Sequence, residues 1–269
     1  MTTVISAKLT LAVRLVDTTT GLELTESDIS FYFNGGLVHP IKKGSGTYAF
    51  INMSKEDFLM QVHAYGFDDA ELDIKYDTLD PRLPLIDVFL MPSEKRLRGG
   101  SVIKITGKLP GLESIEAINM NRPIAAFQSV TTGKGITRMT LLPMTLAGGV
   151  ALDSMAYAML SKDQSRYEVF TVQEQDAATS VRLKSELKFP HELNERIFRI
   201  IYGRTGPKGD FVLKVRDDAN VLDYLLHYKV DGREYVRPIN FHLENDKINL
   251  SKGATEIVAF EGKEEVKDE

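Results

Sequence analysis

The chain has 269 residues, 43% of them hydrophobic and 26% charged, with a formal net charge of −5 and no cysteine. That is enough apolar content for a sizeable core, as one large β domain or two smaller ones. It excludes disulfides, thiolate metal sites and a cysteine nucleophile, and it argues against a protein whose main task is to coat a phosphate backbone. No run of 18 apolar residues occurs, so no membrane-spanning helix is expected. The longest weakly charged apolar stretch, 139–160, is interrupted by Pro143, Gly148, Gly149 and Asp153. Lys8 and Arg14 interrupt the only apolar candidate near the start, so a cleaved export signal is not expected.

The first ninety residues read as strands. In 8–16, Leu9, Leu11, Val13 and Leu15 alternate with Lys8, Thr10 and Arg14, the period of a half-buried strand. DTTTGL (17–22) is a polar turn, ISFYF (29–33) suits a pleated surface, and Asn34-Gly35-Gly36 is a turn signal. The cassette GSGTYAFINM (44–53) reads as a turn followed by a strand with Tyr48 and Phe50 on one face. Phe58, Met60, Val62 and Ala64 alternate again, Tyr65-Gly66-Phe67 closes that strand, and 71–76 and 85–90 are further candidates. Six or seven strands with turns every eight to twelve residues predict a small antiparallel sandwich.

Three pieces carry a resemblance: V-x-x-x-D-T-T-T-G over 13–21, G-T-Y-A-F-I-N over 46–52, and V-H-A-Y-G-F over 62–67. Their order resembles carboxypeptidase-regulatory-like, or transthyretin-like, β-sandwich modules over the first third of the chain. The resemblance implies an accessory or adhesive unit, with a structural or binding role and no active site of its own.

Residues 91–100 (MPSEKRLRGG) read as a linker, giving a boundary near 93–100. The domain expectation is a sandwich over 1–93, a linker over 94–100, a β-rich assembly domain over 101–260 and a disordered charged tail over 261–269. Strands are expected over 101–106, 115–119, 124–130, 136–142, 151–157, 167–173, 180–187, 211–215, 222–230 and 234–241. Asp231-Gly232 is the strongest hairpin signal. HELNERIFRIIY (191–202) follows Pro190 and places Leu193, Ile197, Ile200 and Ile201 at helical spacing. It is the best helix candidate, with a strand over 197–202 as the alternative. The fold class is therefore mainly β with one short helix.

No catalytic constellation stands out. Asp210, Asp217, Asp218, Asp223 and Asp231 form an acidic cluster without the spacing or the glycine of a calcium loop, and read as turn residues. His191 and Glu195 lie four apart but lack the second histidine of a zinc-protease motif, so acids at a helix start are the simpler reading. GRTGPKG (203–209) lacks the order of a phosphate loop, and GKLPG (107–111) and TTGKGITR (131–138) read as hairpin tips. Ser129, Ser154 and Ser180 have no nucleophile-elbow setting. Tyr48, Phe50, Tyr65 and Phe67 are core aromatics in the first reading and a sugar-stacking platform in the second. An enzyme would have to draw on His191, Glu192, Glu195, His227 and His242.

No catalytic, cofactor or metal residue is therefore assigned. The expectation is a structural, non-enzymatic subunit of a large assembly, by analogy a baseplate or tail component of a phage tail or phage-tail-like contractile particle. Such particles assemble in the cytoplasm and leave by lysis, which reconciles an adhesive-type sandwich with the lack of an export signal. The expected partners are other protein subunits, in multiple copies, with no nucleic acid and no membrane span. A carbohydrate- or surface-binding accessory protein and a hydrolase with an accessory sandwich are the alternatives, so a glycan is a further candidate partner.

Overall fold

The computed structural model describes residues 8–24, 28–44, 46–93, 102–129, 135–144, 152, 155–216, 223–240 and 255–257. The fold is mainly β. The sole helical piece among the described residues is one 3₁₀ turn, Tyr76–Thr78. The chain divides into two compact units, Met1–Val102 with Lys214–Asp217, and Ile103–Leu213 with Asp218–Glu269. The expected linker core and charged tail, 94–100 and 261–269, lie outside the described residues.

The first unit is a β-sandwich. Its strands are β1 (Leu9–Asp17), β2 (Leu22–Glu23), β3 (Ile29–Phe33), β4 (Gly36–Val38), β5 (Ile41–Lys43), β6 (Thr47–Ile51), β7 (Phe58–Ala64), β8 (Ala70–Ile74) and β9 (Leu85–Leu90). One sheet runs β2-β1-β6-β5 with β9 added on β1, and the other runs β4-β3-β7-β8. The inward residues of both sheets share one core: Leu11, Val13 and Leu15 of β1, Phe31 and Phe33 of β3, Met60 and Val62 of β7. The alternation of β7 lands as its sequence predicts, with Met60, Val62 and Ala64 buried. The aromatics of the 44–53 cassette join the sheets. The Phe31 ring lies 5.0 Å from Tyr48 and 5.2 Å from Phe50, and Phe33 lies 4.8 Å from Phe50. Each such ring contributes about 1.5–3 kcal/mol by burial, with about 0.5–1.5 kcal/mol more per ring pair.

Two expectations for this unit need correction. The sandwich is not purely antiparallel, because β9 runs parallel to β1, from Ala12 opposite Leu85 to Asp17 opposite Leu90. Turn signals are local and do not report the direction in which a late strand returns. Nor is β1 half-buried. Thr10 and Arg14, on its polar side, are also buried. The backbone N–H of Met53 donates to Thr10 Oγ1, the Tyr76 hydroxyl donates to the Thr10 carbonyl, and Arg14 is paired with Asp87. A polar side chain covered in this way has its bonds satisfied without water.

The second unit contains β10 (Val102–Lys108), β11 (Leu112–Asn119), β12 (Ala125–Phe127), β13 (Arg138–Pro143), β14 (Ala156–Leu160), β15 (Tyr167–Ala177), β16 (Ser180–Leu183) and β17 (Arg196–Arg199). It continues with β18 (Ile201–Tyr202), β19 (Arg204–Thr205), β20 (Asp210–Arg216), β21 (Asp223–Val230), β22 (Arg233–Asn240) and β23 (Thr255–Ile257); Val102 of β10 and the last three residues of β20, 214–216, are counted with the first unit. Six of these close into an antiparallel barrel in the order β12-β13-β16-β15-β14-β17. A five-stranded sheet runs β18-β11-β21-β22-β23, and a three-stranded sheet β10-β20-β19. The β21–β22 hairpin turns at Asp231-Gly232, both at positive φ (48° and 79°), and pairs all eight residues of each strand. This is the two-residue turn that an Asp-Gly signal predicts.

Strand register explains how barrel and sheet join. Ala158 and Leu160 of β14 and Phe198 of β17 cluster with Ile118, Leu225 and Val236 of the five-stranded sheet. Their neighbours Tyr157, Met159 and Ile197 are also buried, and by strand alternation face the barrel interior. The interior is filled with side chains, among them Phe127, Met139, Met159, Val181 and Ile197.

That double burial overturns the helix expected at 191–202. The segment forms a turn and then β17 and β18. Asn194 sits at φ 69° in the turn, and the backbone N–H of Asn194 donates to the Phe127 carbonyl. A strand buried on both faces reads as a continuous apolar run, and periodicity cannot distinguish such a run from a buried helix.

Candidate functional site

The groups with chemical potential in the second unit gather on the two faces of β15. Tyr167 faces the five-stranded sheet, and Glu168 faces the barrel side with its register partner Met159. The barrel-side cluster is His191, Glu168 and Glu195. His191 Nδ1 lies 2.5 Å from Glu195 Oε2, and Nε2 lies 2.8 Å from Glu168 Oε2. The three side chains are 1%, 4% and 1% exposed. Glu168 Oε1 also accepts the Lys188 backbone N–H and Oε2 that of Phe189. Arg166 donates to the Pro190 carbonyl and approaches Glu195 Oε1 at 3.6 Å. Glu195 Oε1 has no hydrogen-bond partner. Burial works against protonation of His191, but its two carboxylate bonds outweigh that and raise its pKa.

The sheet-side cluster is Glu116 on β11, His227 on β21, Glu234 on β22 and Tyr167. Glu116 and His227 are register partners. Glu116 Oε1 accepts from the Tyr167 hydroxyl at 2.8 Å and pairs with His227 Nδ1 at 2.9 Å. Glu234 reaches His227 Nε2 at 3.4 Å. Burial opposes the charge on His227, but the bonds to Glu116 and Glu234 bring its pKa up to about 9. Its hydrogen bond to His227 lowers the pKa of Glu234. Burial, with the Glu116 charge, pushes the Tyr167 phenol well up.

In both clusters each imidazole nitrogen faces a carboxylate. An imidazole engaged by a carboxylate at both nitrogens has no free lone pair for a metal, and no open nitrogen to take a proton from a substrate. Among the described residues, no group of three or more His, Asp or Glu is arranged to hold a metal ion. A cleft of about 260 Å³ lies beside Lys162, Gln164, Asn194 and Arg196, with Glu195 in its wall. The Glu195 carboxylate itself is turned to His191.

Of the residues singled out from sequence, His191 and Glu195 do meet, through a turn and not along a helix. Glu192 is exposed and pairs with Lys162 at 3.4 Å, apart from that contact. His227 lies in the other cluster, and His242 lies outside the described residues, as do Ser154, Asp217 and Asp218. Ser129 Oγ accepts the Thr140 backbone N–H, and Ser180 sits on β16. In 203–209 the N–H groups of Gly206 and Gly209 are taken up within the β19–β20 turn, which leaves no phosphate cradle there. Tyr48, Phe50 and Phe67 are core, whereas Tyr65 is exposed. Sequence reasoning missed Glu116, Tyr167, Glu168 and Glu234. The available signal was a charged residue inside otherwise apolar strands, as in SIEAI and YEVF.

In sequence comparison the chain matches no family model and no curated protein.

Proposed function

We propose that the chain is a structural, non-enzymatic subunit of a large protein assembly. The observation that carries this reading is the placement of the histidine–carboxylate clusters. They tie strand to strand inside the second unit, with each histidine enclosed between two carboxylates, so their chemistry goes into holding the body rigid. Large apolar side chains on that unit point outward instead: Leu142, Met144, Val169 and Leu193 are all exposed. Rigid β bodies that present apolar groups and strand edges suit permanent contacts with neighbouring subunits. Within that class, a baseplate or tail component of a phage tail or phage-tail-like contractile particle is the reading by analogy. It accounts for a transthyretin-like module in a chain read as assembled in the cytoplasm.

The test is the molar mass of the purified chain by light scattering, alone and co-expressed with the products of adjacent genes. Oligomers or a stable co-complex are expected. A clean monomer that takes up none of those products would overturn the proposal.

A further inference from the structure

The first unit carries a shallow bowl that has no part in its core. It is lined by Asp28, Ser30, His63, Tyr65 and Asp69, with a volume of about 460 Å³. Its floor is built on paired strands, Ser30 of β3 lying opposite His63 of β7. The Tyr65-Gly66 corner at the end of β7 is held by the Tyr65 N–H on the Asp28 carbonyl and the Phe67 N–H on the Ala64 carbonyl. Ala64 and Phe67, on either side, are buried, while Tyr65 itself is 83% exposed. The fold therefore fixes the backbone of this tyrosine and gives its ring nothing to pack on. Beside it, Asp69 Oδ1 lies 2.8 Å from His63 Nδ1, and the His63 ring is braced edge-on by Tyr32 at 5.2 Å.

We infer that this bowl is a binding subsite for a neutral saccharide. A pyranose has an apolar C–H face and a rim of hydroxyls. The free ring of Tyr65 offers a surface for the first, through dispersion contacts. The carboxylates of Asp69 and Asp28 and the Ser30 hydroxyl offer acceptors for the second, and hydroxyl-to-carboxylate bonds are the strong kind. The His63 contact orients Asp69 and leaves Oδ2 to receive a sugar hydroxyl. Two carboxylates in one small bowl repel anionic ligands, which excludes phosphates and acidic sugars. The polar rim and open shape do not suit a purely apolar ligand. The inference is independent of the assembly role: a subunit with or without this subsite would assemble alike.

The experiment is saturation-transfer NMR and calorimetry on the full chain with maltotriose, cellotriose and chitotriose, with sialyllactose as the acidic control. At least one neutral trisaccharide is expected to bind with a dissociation constant in the range of about 1 mM, typical of a single open subsite. Tyr65→Ala should weaken it at least tenfold and Asp69→Asn severalfold, with unchanged thermal unfolding, since neither side chain belongs to the core. Three results overturn the inference: none of the neutral probes binds at concentrations up to about 10 mM, Tyr65→Ala binds as well as the parent, or sialyllactose binds as tightly as the neutral sugars.

Discussion

Tyr167 and His227 lie against each other, ring centroids 4.3 Å apart and planes at 19°, while both hydrogen-bond to the same oxygen, Glu116 Oε1. Tyr167 comes from the barrel and His227 from the five-stranded sheet, so one part-buried carboxylate and one ring stack join the two layers of the second unit. The join is polar inside an otherwise apolar cluster of Ile118, Leu160 and Leu225. A polar bond in such a place fixes one relative position of the layers, because sliding either layer would strand a buried donor or acceptor.

This join is pH-sensitive, and its sign follows from the direction of the shifts. The His227 pKa is raised, from an ordinary 6.5 to about 9. Its contribution to stability is therefore complete below pH 6.5 and is lost as the pH rises to about 9. Glu234 has a lowered pKa, so its share is present above its ordinary 4.5 and is lost on acidification through its folded value. Urea unfolding between pH 6 and 9.5 should show the parent losing roughly 2–4 kcal/mol more than His227→Gln across that span. Parallel pH curves for the two proteins would refute the imidazolium.

His191 should be the most costly single histidine to remove. Its replacement by Ala leaves the Glu168 and Glu195 carboxyls, both almost wholly buried, without the partner that bonds to each of them. Breaking a buried pair from one side costs about 3–5 kcal/mol. Replacing His191 in a chain that already carries Glu168→Gln and Glu195→Gln should cost markedly less, since the stranded carboxyls are gone. Chemical denaturation of the four proteins gives this coupling directly. Additive costs would mean that the three groups do not act as a unit.

How far these features could be read in the sequence depends on the range of the physics behind them. The Asp231-Gly232 hairpin, the alternation of β7 and the strand that follows Gly46 are local, and each was legible. The parallel return of β9, the burial of Arg14 and the strand identity of 196–199 depend on what lies across a sheet or between two layers. HELNERIF shows a histidine and carboxylates at helical spacing, yet they meet because Asn194 reverses the chain and Glu168 arrives from a strand more than twenty residues earlier. A charge inside an apolar strand can be seen in sequence, but its partner cannot, because the partner is chosen by register.

Arg14 illustrates the same point and gives a third prediction. Arg14 and Asp87 are register partners on β1 and β9, bonded from Nε and Nη2 at 2.7 and 2.8 Å. Arg14 is buried, while the Asp87 side chain keeps one third of its surface. Asp87→Ala leaves the guanidinium with a carboxylate at 3.8 Å, from Glu23, among its remaining contacts. Solvent near Asp87 moderates the effect, so a loss of about 1–3 kcal/mol is expected. The pair of changes Arg14→Met and Asp87→Leu should recover most of it, because apolar packing replaces a pair whose desolvation was costly. No recovery in the double variant would show that Arg14 contributes through its other contacts.

The two glycines of the 44–53 cassette look alike in sequence but should differ sharply on substitution. Both have positive φ, 53° at Gly44 and 69° at Gly46, so alanine at either position meets backbone strain of about 1 kcal/mol. At Gly44 nothing lies within 4 Å of the added methyl position. At Gly46 that position lies 2.8 Å from the Leu24 carbonyl oxygen and 3.0 Å from its nitrogen. Those are backbone atoms, and they cannot give way freely, because the Leu24 N–H donates to the Leu15 carbonyl on β1 and the Leu15 N–H to the Gly46 carbonyl. Gly44→Ala should therefore cost about 1 kcal/mol, and Gly46→Ala about 3 kcal/mol or more, measured by urea unfolding. Equal costs would mean that the close approach of Leu24 to the turn is not a constraint on the sandwich.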